Sequence, residues 1–183
     1  MNELILKIKI FLNSLNNNES KNRLFEYIWK KFHKKLSYYV YRNFHFNLFE
    51  TDEIVQEIMI KIFNNIERFN PEYSFNTWIY SITRNYCKDL LKRKCTEINQ
   101  DINEFPDVTH ECYGLLEKKD TKCIVRRYLE GLDTTDREML YLRYYESMSL
   151  SIISDILGIP EGTVKSRLFY LKKKMAKDLK DMI

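Results

Sequence analysis

Residues Leu150–Leu168 read LSIISDILGIPEGTVKSRL and run on into the basic stretch LKKKMAK at 171–177. This pattern predicts two short helices meeting at a sharp turn. Ser154 is small enough for a close helix crossing, and Gly158 can take the left-handed conformation between the helices. Ile159 and Val164 fall where the second helix must bury apolar side chains against the first. A helix-turn-helix unit of this kind inserts the N-terminus of its second helix into the major groove of DNA. Glu161, Gly162, Thr163, Lys165, Ser166 and Arg167 cluster at that end. Arginine and lysine match guanine edges, and threonine and serine suit phosphates or bases. From Lys165 to Lys180 seven basic residues, Lys172 and Lys173 among them, stand against Asp178 alone, a net charge of +6. That charge supplies the attraction for the phosphate backbone. An ordinary helical hairpin with a solvated face is the competing reading, but turn glycine, small residue, spaced apolars and basic flank together favour DNA.

Moving toward the N-terminus, Ser149 can cap the first helix of the pair. Thr135-Asp136-Arg137-Glu138 matches a capping box that opens a helix through Met139, Leu140 and Leu142. A helix from Cys123 to Leu129 stops at Gly131, so four helices make up the C-terminal part. Between Glu97 and Asp120 seven acidic residues outnumber two lysines, a net of −5, and Pro106 and Asp107 interrupt any helical pattern. Since the whole chain carries +4, the remainder carries +9. Two basic domains joined by an acidic linker are expected.

Before the linker, a long helix is expected from Phe75 to Lys94. Arg84, Lys88 and Lys92 recur every four residues and are expected to share a face. An aromatic cluster (Phe69, Tyr73, Phe75, Trp78, Tyr80) precedes them, with Ser74 in the intervening loop. Aromatic rings beside a basic face suit unpaired bases, on which flat side chains stack, although about half of these rings are expected in the core. Asn76 and Asn85 are amides that could bond an extruded base or simply cap and solvate. A helix through Ile54, Ile58, Ile62 and Ile66 is expected to start at a Thr51 or Asp52 cap and to end at Asn70-Pro71. It sets Asp52, Glu53, Gln56 and Glu57 on the side opposite its apolar stripe, as any amphipathic helix does. An earlier helix over Glu19–Phe44 carries the stripe Leu24, Ile28, Phe32 and Leu36.

The 183 residues are 44% hydrophobic and 31% charged, with only 4 glycines and 3 prolines, which fits an all-α globular protein. The opening MNELILKIKIFL is broken by Glu3, Lys7 and Lys9, so it reads as an amphipathic helix rather than an export signal. No stretch approaches membrane-spanning length. Cys87, Cys95, Cys112 and Cys123 lack metal-ligand spacing and read as incidental thiols of a reduced, cytoplasmic protein. His33, His45 and His110 are isolated, no glycine-rich phosphate loop occurs, and no cofactor is implied.

The stretch DEIVQEIMIKIFNNIERFNPEYSFNTWIYSITRNYCKDLLKRK (Asp52–Lys94) resembles region 2 of bacterial RNA polymerase sigma factors of the extracytoplasmic-function (ECF) type. LDTTDREMLYLRYYESMSLSIISDILGIPEGTVKSRLFYLKKKM resembles their region 4. The resemblance implies region 2 at 21–95, a linker at 96–120 and region 4 at 121–183, while the amphipathic extension at 1–20 has no clear family counterpart. It implies that Asp52, Glu53, Gln56 and Glu57 dock on core RNA polymerase. Phe69 to Asn76, with Tyr73, Ser74, Phe75 and Asn76, would capture a flipped base of the −10 element. Trp78, Arg84, Asn85, Lys88 and Lys92 would hold the separating strands. Glu161 to Arg167, backed by Lys172 and Lys173, would read the −35 element as duplex. Core polymerase and promoter DNA are the implied partners, an anti-sigma factor is an expectation of the class, and no catalytic activity is implied. A helix-turn-helix regulator that binds duplex DNA without joining the polymerase is the alternative.

Overall fold

The computed structural model describes residues 18–98 and 121–180. Every element among them is helical, as expected, and they fall into two compact units. The first holds α1 (Asn18–Phe44), α2 (Leu48–Asn65) and α3 (Phe75–Ile98). The second holds α4 (Thr121–Glu130), α5 (Thr134–Leu140), α6 (Leu150–Leu157) and α7 (Glu161–Lys180). The expected helix at 1–20 and the acidic linker at 96–120 fall almost wholly outside the described residues.

In the first unit the apolar stripes meet as the spacing predicts. Leu24, Ile28, Phe32 and Leu36 of α1 are buried together with Ile54, Ile58, Ile62 and Ile66 of α2 and its continuation. Edge-to-face rings tie α1 to α3, with Phe32 and Phe75 centroids 5.6 Å apart and Tyr39 and Tyr80 5.0 Å apart. Such pairs add about 0.5–1.5 kcal/mol each beyond their burial. α1 ends where His45 takes a left-handed conformation (φ 57°), which histidine tolerates better than most side chains.

The cap of α2 differs from expectation. The helix begins a turn earlier, at Leu48, with Asn47 as its N-cap. Asn47 Oδ1 accepts from the Glu50 N–H at 2.9 Å, and Glu50 Oε2 accepts from the Asn47 N–H at 3.0 Å. This is a reciprocal capping box, and it leaves Thr51 buried inside the first turn rather than capping. Glu50 also pairs with Lys94 of α3 at 2.5 Å. The hydrogen bond from Lys94 holds the Glu50 carboxyl below its ordinary range, against partial burial. α2 also stops earlier than expected, at Asn65, and a short 3₁₀ turn over Ile66–Arg68 leads to Asn70-Pro71.

In the second unit the turn chemistry of α6 and α7 follows the sequence. Ser149 Oγ accepts from the Ile152 N–H at 3.3 Å, and Gly158 closes α6 in the left-handed region with φ 67°. Ser154 does more than allow a close crossing, since its Oγ donates to the Ile159 carbonyl at 2.6 Å and ties the turn shut. Ile153, Ile156, Leu157, Val164, Leu168 and Leu171 form the core with Met139 and Leu142. Ile159 is only half-buried.

α5 departs from the expected capping box. Asp133, not Thr135, is the N-cap, accepting from the Thr135 N–H at 3.0 Å, and Glu138 is fully buried. A π-helical turn, Tyr141–Tyr145, then widens the end of α5. Tyr128 of α4 donates to the Asp178 carboxylate at 2.9 Å. Burial, reinforced by that carboxylate, pushes the Tyr128 phenol up to about 12.

Candidate nucleic-acid interface

The loop between α2 and α3 is short and anchored at both ends. The Asn70 carbonyl accepts from the Tyr73 N–H at 3.1 Å, closing a β-turn with Pro71 at its second position. Asn70 Oδ1 accepts from the Glu72 N–H at 3.0 Å, an Asx turn. Ser74 Oγ accepts from the Thr77 N–H at 3.4 Å and its carbonyl from the Trp78 N–H at 3.2 Å, so it caps α3. Beneath the loop Phe69, Phe75 and Trp78 pack as a triad with centroids 5.0–5.5 Å apart. Tyr73 stands 70% exposed above this base, flanked by exposed Ser74 and Asn76.

The outward face of α3 is not the one that four-residue spacing suggests. Arg84 is buried, 7% exposed, whereas Lys88 is half-buried and Lys92 exposed. A step of four residues overshoots one turn by about 40°, so two steps rotate about 80° from core toward solvent. The exposed or half-exposed stripe is instead Trp78, Ser81, Asn85, Lys88 and Lys92. Lys92 approaches Asp89 at 3.9 Å. Phe75 is a core residue, 3% exposed, so it supports the loop rather than meeting a ligand.

Asp52, Glu53, Gln56 and Glu57 are all exposed on α2. Sequence reasoning missed their neighbours. Phe49 (73% exposed) and Ile60 (49%) share the stripe of Glu53 and Gln56, at spacings of four, three and four residues. Exposed large apolar side chains framed by acids make this stripe a candidate contact for a partner. The signal was present in the spacing, but only the apolar positions facing the core drew notice.

On α7, Glu161, Gly162, Thr163, Lys165 and Ser166 are exposed at the N-terminal end, followed by Lys172 and Lys173. Gly162 has open space where a Cβ would point. Arg167 is held differently: its guanidinium lies 2.6 Å from Asp136 and 3.8 Å from Asp133, bracing α7 against the start of α5. Exposed Phe169 and Tyr170, packed edge to face, follow it.

Residues 29–95 match Sigma-70 region 2, and residues 122–175 match Sigma-70 region 4. Over 144 residues the chain is 31% identical to RNA polymerase sigma factor SigZ of Bacillus subtilis (strain 168), covering 78% of this chain and 80% of that protein. The chain belongs to the RNA polymerase sigma factors, in the ECF class. It is also 27% identical over 150 residues to ECF RNA polymerase sigma factor SigW of the same organism, covering 74% of this chain and 79% of SigW. The ECF RNA polymerase sigma-E factor of Escherichia coli (strain K12) is 26% identical over 145 residues, 73% and 76% of the two chains. Among solved structures, CnrH in complex with the cytosolic domain of CnrY has the same fold at TM-score 0.67 and 19% identity, covering 97% of each chain. The sigma factor RpoE of Bartonella quintana, in complex with the anti-sigma factor NepR, aligns at TM-score 0.63 and 18% identity over 86% of this chain and 95% of that one.

Trp78, Asn85, Lys88 and Lys92 share the outward face of α3, and Tyr73 and Ser74 stand exposed in the loop before it, whereas exposed Asn76 lies about 160° round the helix from Trp78. Phe75 and Arg84 are buried. Among the described residues no helix is long and apolar enough to cross a membrane, and no group of three His, Cys, Asp or Glu could hold a metal ion.

Proposed function

We propose that the two units divide promoter recognition between them. Residues 21–95 work as region 2, docking on core polymerase and capturing the −10 strand. Residues 121–183 work as region 4 on the −35 duplex, and residues 96–120 link them. Asp52, Glu53, Gln56 and Glu57, extended by Phe49 and Ile60, form the polymerase-docking face of α2. Tyr73, Ser74 and Asn76 seat an extruded base, with Trp78, Asn85, Lys88 and Lys92 along the strand. Glu161, Gly162, Thr163, Lys165 and Ser166 meet the −35 element, Lys172 and Lys173 its phosphates, and Arg167 fixes the docking angle of α7.

The anchored Tyr73 loop carries this reading. Extruding a base costs a few kcal/mol, and stacking on an aromatic ring returns about 1–3 kcal/mol. A ring displayed on a rigid turn suits that exchange. A regulator that binds only duplex DNA would use α7 and have no need of the loop. The protein then acts in the cytoplasm beside the polymerase, as a specificity subunit and not an enzyme. An anti-sigma factor is a fitting restraint, given that RpoE and CnrH are both found with protein partners.

The test is reconstitution of the purified chain with core polymerase on genomic promoter fragments, mapping transcript starts. Discrete starts that depend on the chain are expected. Absence of both specific starts and core binding would overturn the proposal.

A further inference from the structure

Helix α1 bears a dense positive charge that none of these roles uses. From Tyr27 to Phe44 the sequence holds Lys30, Lys31, Lys34, Lys35 and Arg42 and no aspartate or glutamate. The buried stripe Leu24, Ile28, Phe32, Leu36 and Tyr39 fixes which way the helix faces. At about 100° per residue, Tyr27, Lys31, Lys34, Lys35, Tyr38 and Arg42 fall within an arc of about 100° whose centre lies about 90° round the helix from that of the buried stripe, with Lys30 about 40° beyond its edge. Lys30, Lys31, Lys34, Lys35 and Tyr38 are exposed. Among the described residues no carboxylate pairs with Lys30, Lys31 or Lys34.

Lysines four apart on a helix repel, each pair at about 0.2–0.5 kcal/mol, and this helix holds two such pairs, Lys30–Lys34 and Lys31–Lys35. Rings are interleaved with the charges. Lys31 Nζ lies 5.6 Å from the Tyr27 centroid and the Arg42 guanidinium 5.9 Å from that of Tyr38. The row from Tyr27 to Arg42 spans about 22 Å at 1.5 Å per residue. A polyanion laid along it would turn mutual repulsion into attraction. Four of the five cations are lysines, compact charges without the planar fork that reads base edges, so the chemistry is that of backbone positioning.

We propose that this face of α1 is a second, sequence-independent contact for the phosphate backbone of duplex DNA, beside the promoter contacts assigned above. The proposal rests on the sigma-factor reading only in that DNA is held by the same complex. Its test is the salt dependence of binding by holoenzyme assembled from the full chain, wild type or Lys30→Gln/Lys31→Gln/Lys34→Gln, on a promoter fragment and on non-promoter duplex. Removing one lysine–phosphate pairing should reduce the slope of log K against log salt by about 0.9. The triple variant should therefore show a slope shallower by about two to three on both DNAs. Core affinity, transcript start positions and the melting temperature should be unchanged, and the Lys→Arg triple should restore the slope. An unchanged slope overturns the proposal. So does a parallel fall in core affinity, which would make the face a polymerase or other acidic-protein contact. Failure of the wild-type chain to bind core or direct starts would instead be failure of the sigma reading, visible before any variant is compared.

Discussion

Helices α3 and α7 both present polar side chains to nucleic acid in the proposed function, yet they are built on opposite plans. On α7 the residues at the N-terminal end are nearly all solvent-facing, while the core is held by Val164, Leu168 and Leu171 on the other side. On α3 the two jobs are stacked. Phe75 and Arg84 are sunk beneath the surface that Tyr73, Trp78 and Asn85 display. A duplex-reading helix needs only a smooth exposed edge and can separate fold from contact. A strand-capturing surface needs rings at fixed height, so its contact residues are tied to the core.

The largest effect should come from testing that tie. Phe75→Ala removes a ring wedged among Phe32, Phe69 and Trp78. It should cost about 3–5 kcal/mol of stability, read by denaturant unfolding, and promoter opening should fall with it. A small effect would break the contrast by showing the triad to be dispensable. Tyr73→Ala makes the complementary cut: opening by holoenzyme should fall by about 1–3 kcal/mol of stacking, roughly 5- to 150-fold, while unfolding and core affinity stay within error. An equal fall in stability would place Tyr73 in the fold after all.

On α7 the informative pair is Arg167→Ala and Asp136→Ala. If the ion pair braces the helix, each should weaken −35 binding by a similar amount, about 1 kcal/mol, and the double variant should add little. A much larger effect from Arg167→Ala alone would make the arginine a direct reader of DNA. The smallest effect concerns the Glu50–Lys94 pair between α2 and α3. Because the folded protein holds the Glu50 carboxyl below its ordinary 4.5, its contribution is present above that pH and lost as pH falls through the depressed value. Glu50→Gln should lower stability by under about 1 kcal/mol at pH 7, and the gap from wild type should close as pH falls below the ordinary 4.5 and through the depressed value. A gap independent of pH would assign the effect to packing rather than to the charge on Glu50.

What the sequence made legible was the inward half of each helix. Leu24, Ile28, Phe32 and Leu36 share a stripe because burial demands it, and Ser149 and Gly158 are chosen by local backbone chemistry that leaves a mark in residue type. Less legible were choices among neighbours of similar chemistry. Asn47 and Asp133 cap where Thr51 and Thr135 were equally plausible, because helix starts depend on how the preceding loop arrives. Arg84 looked exposed because charge usually is, and only the 40° drift per four residues, read against the actual core, turns it inward. Phe49 and Ile60 escaped notice because an apolar residue on the outer face has no partner within its own chain to predict it from.

The turn at Asn70–Tyr73 bears on the order of events at a promoter. In the proposed function, its Asx bond, its proline and its cap on α3 restrain the backbone before any DNA arrives, so less of the ordering entropy of about 1–2 kcal/mol per residue is left to the capture step. On that reading the barrier that remains belongs mainly to the base pair. A steep temperature dependence of opening should then follow the stacking strength of the promoter sequence and stay nearly indifferent to loop variants that leave the Tyr73 ring in place.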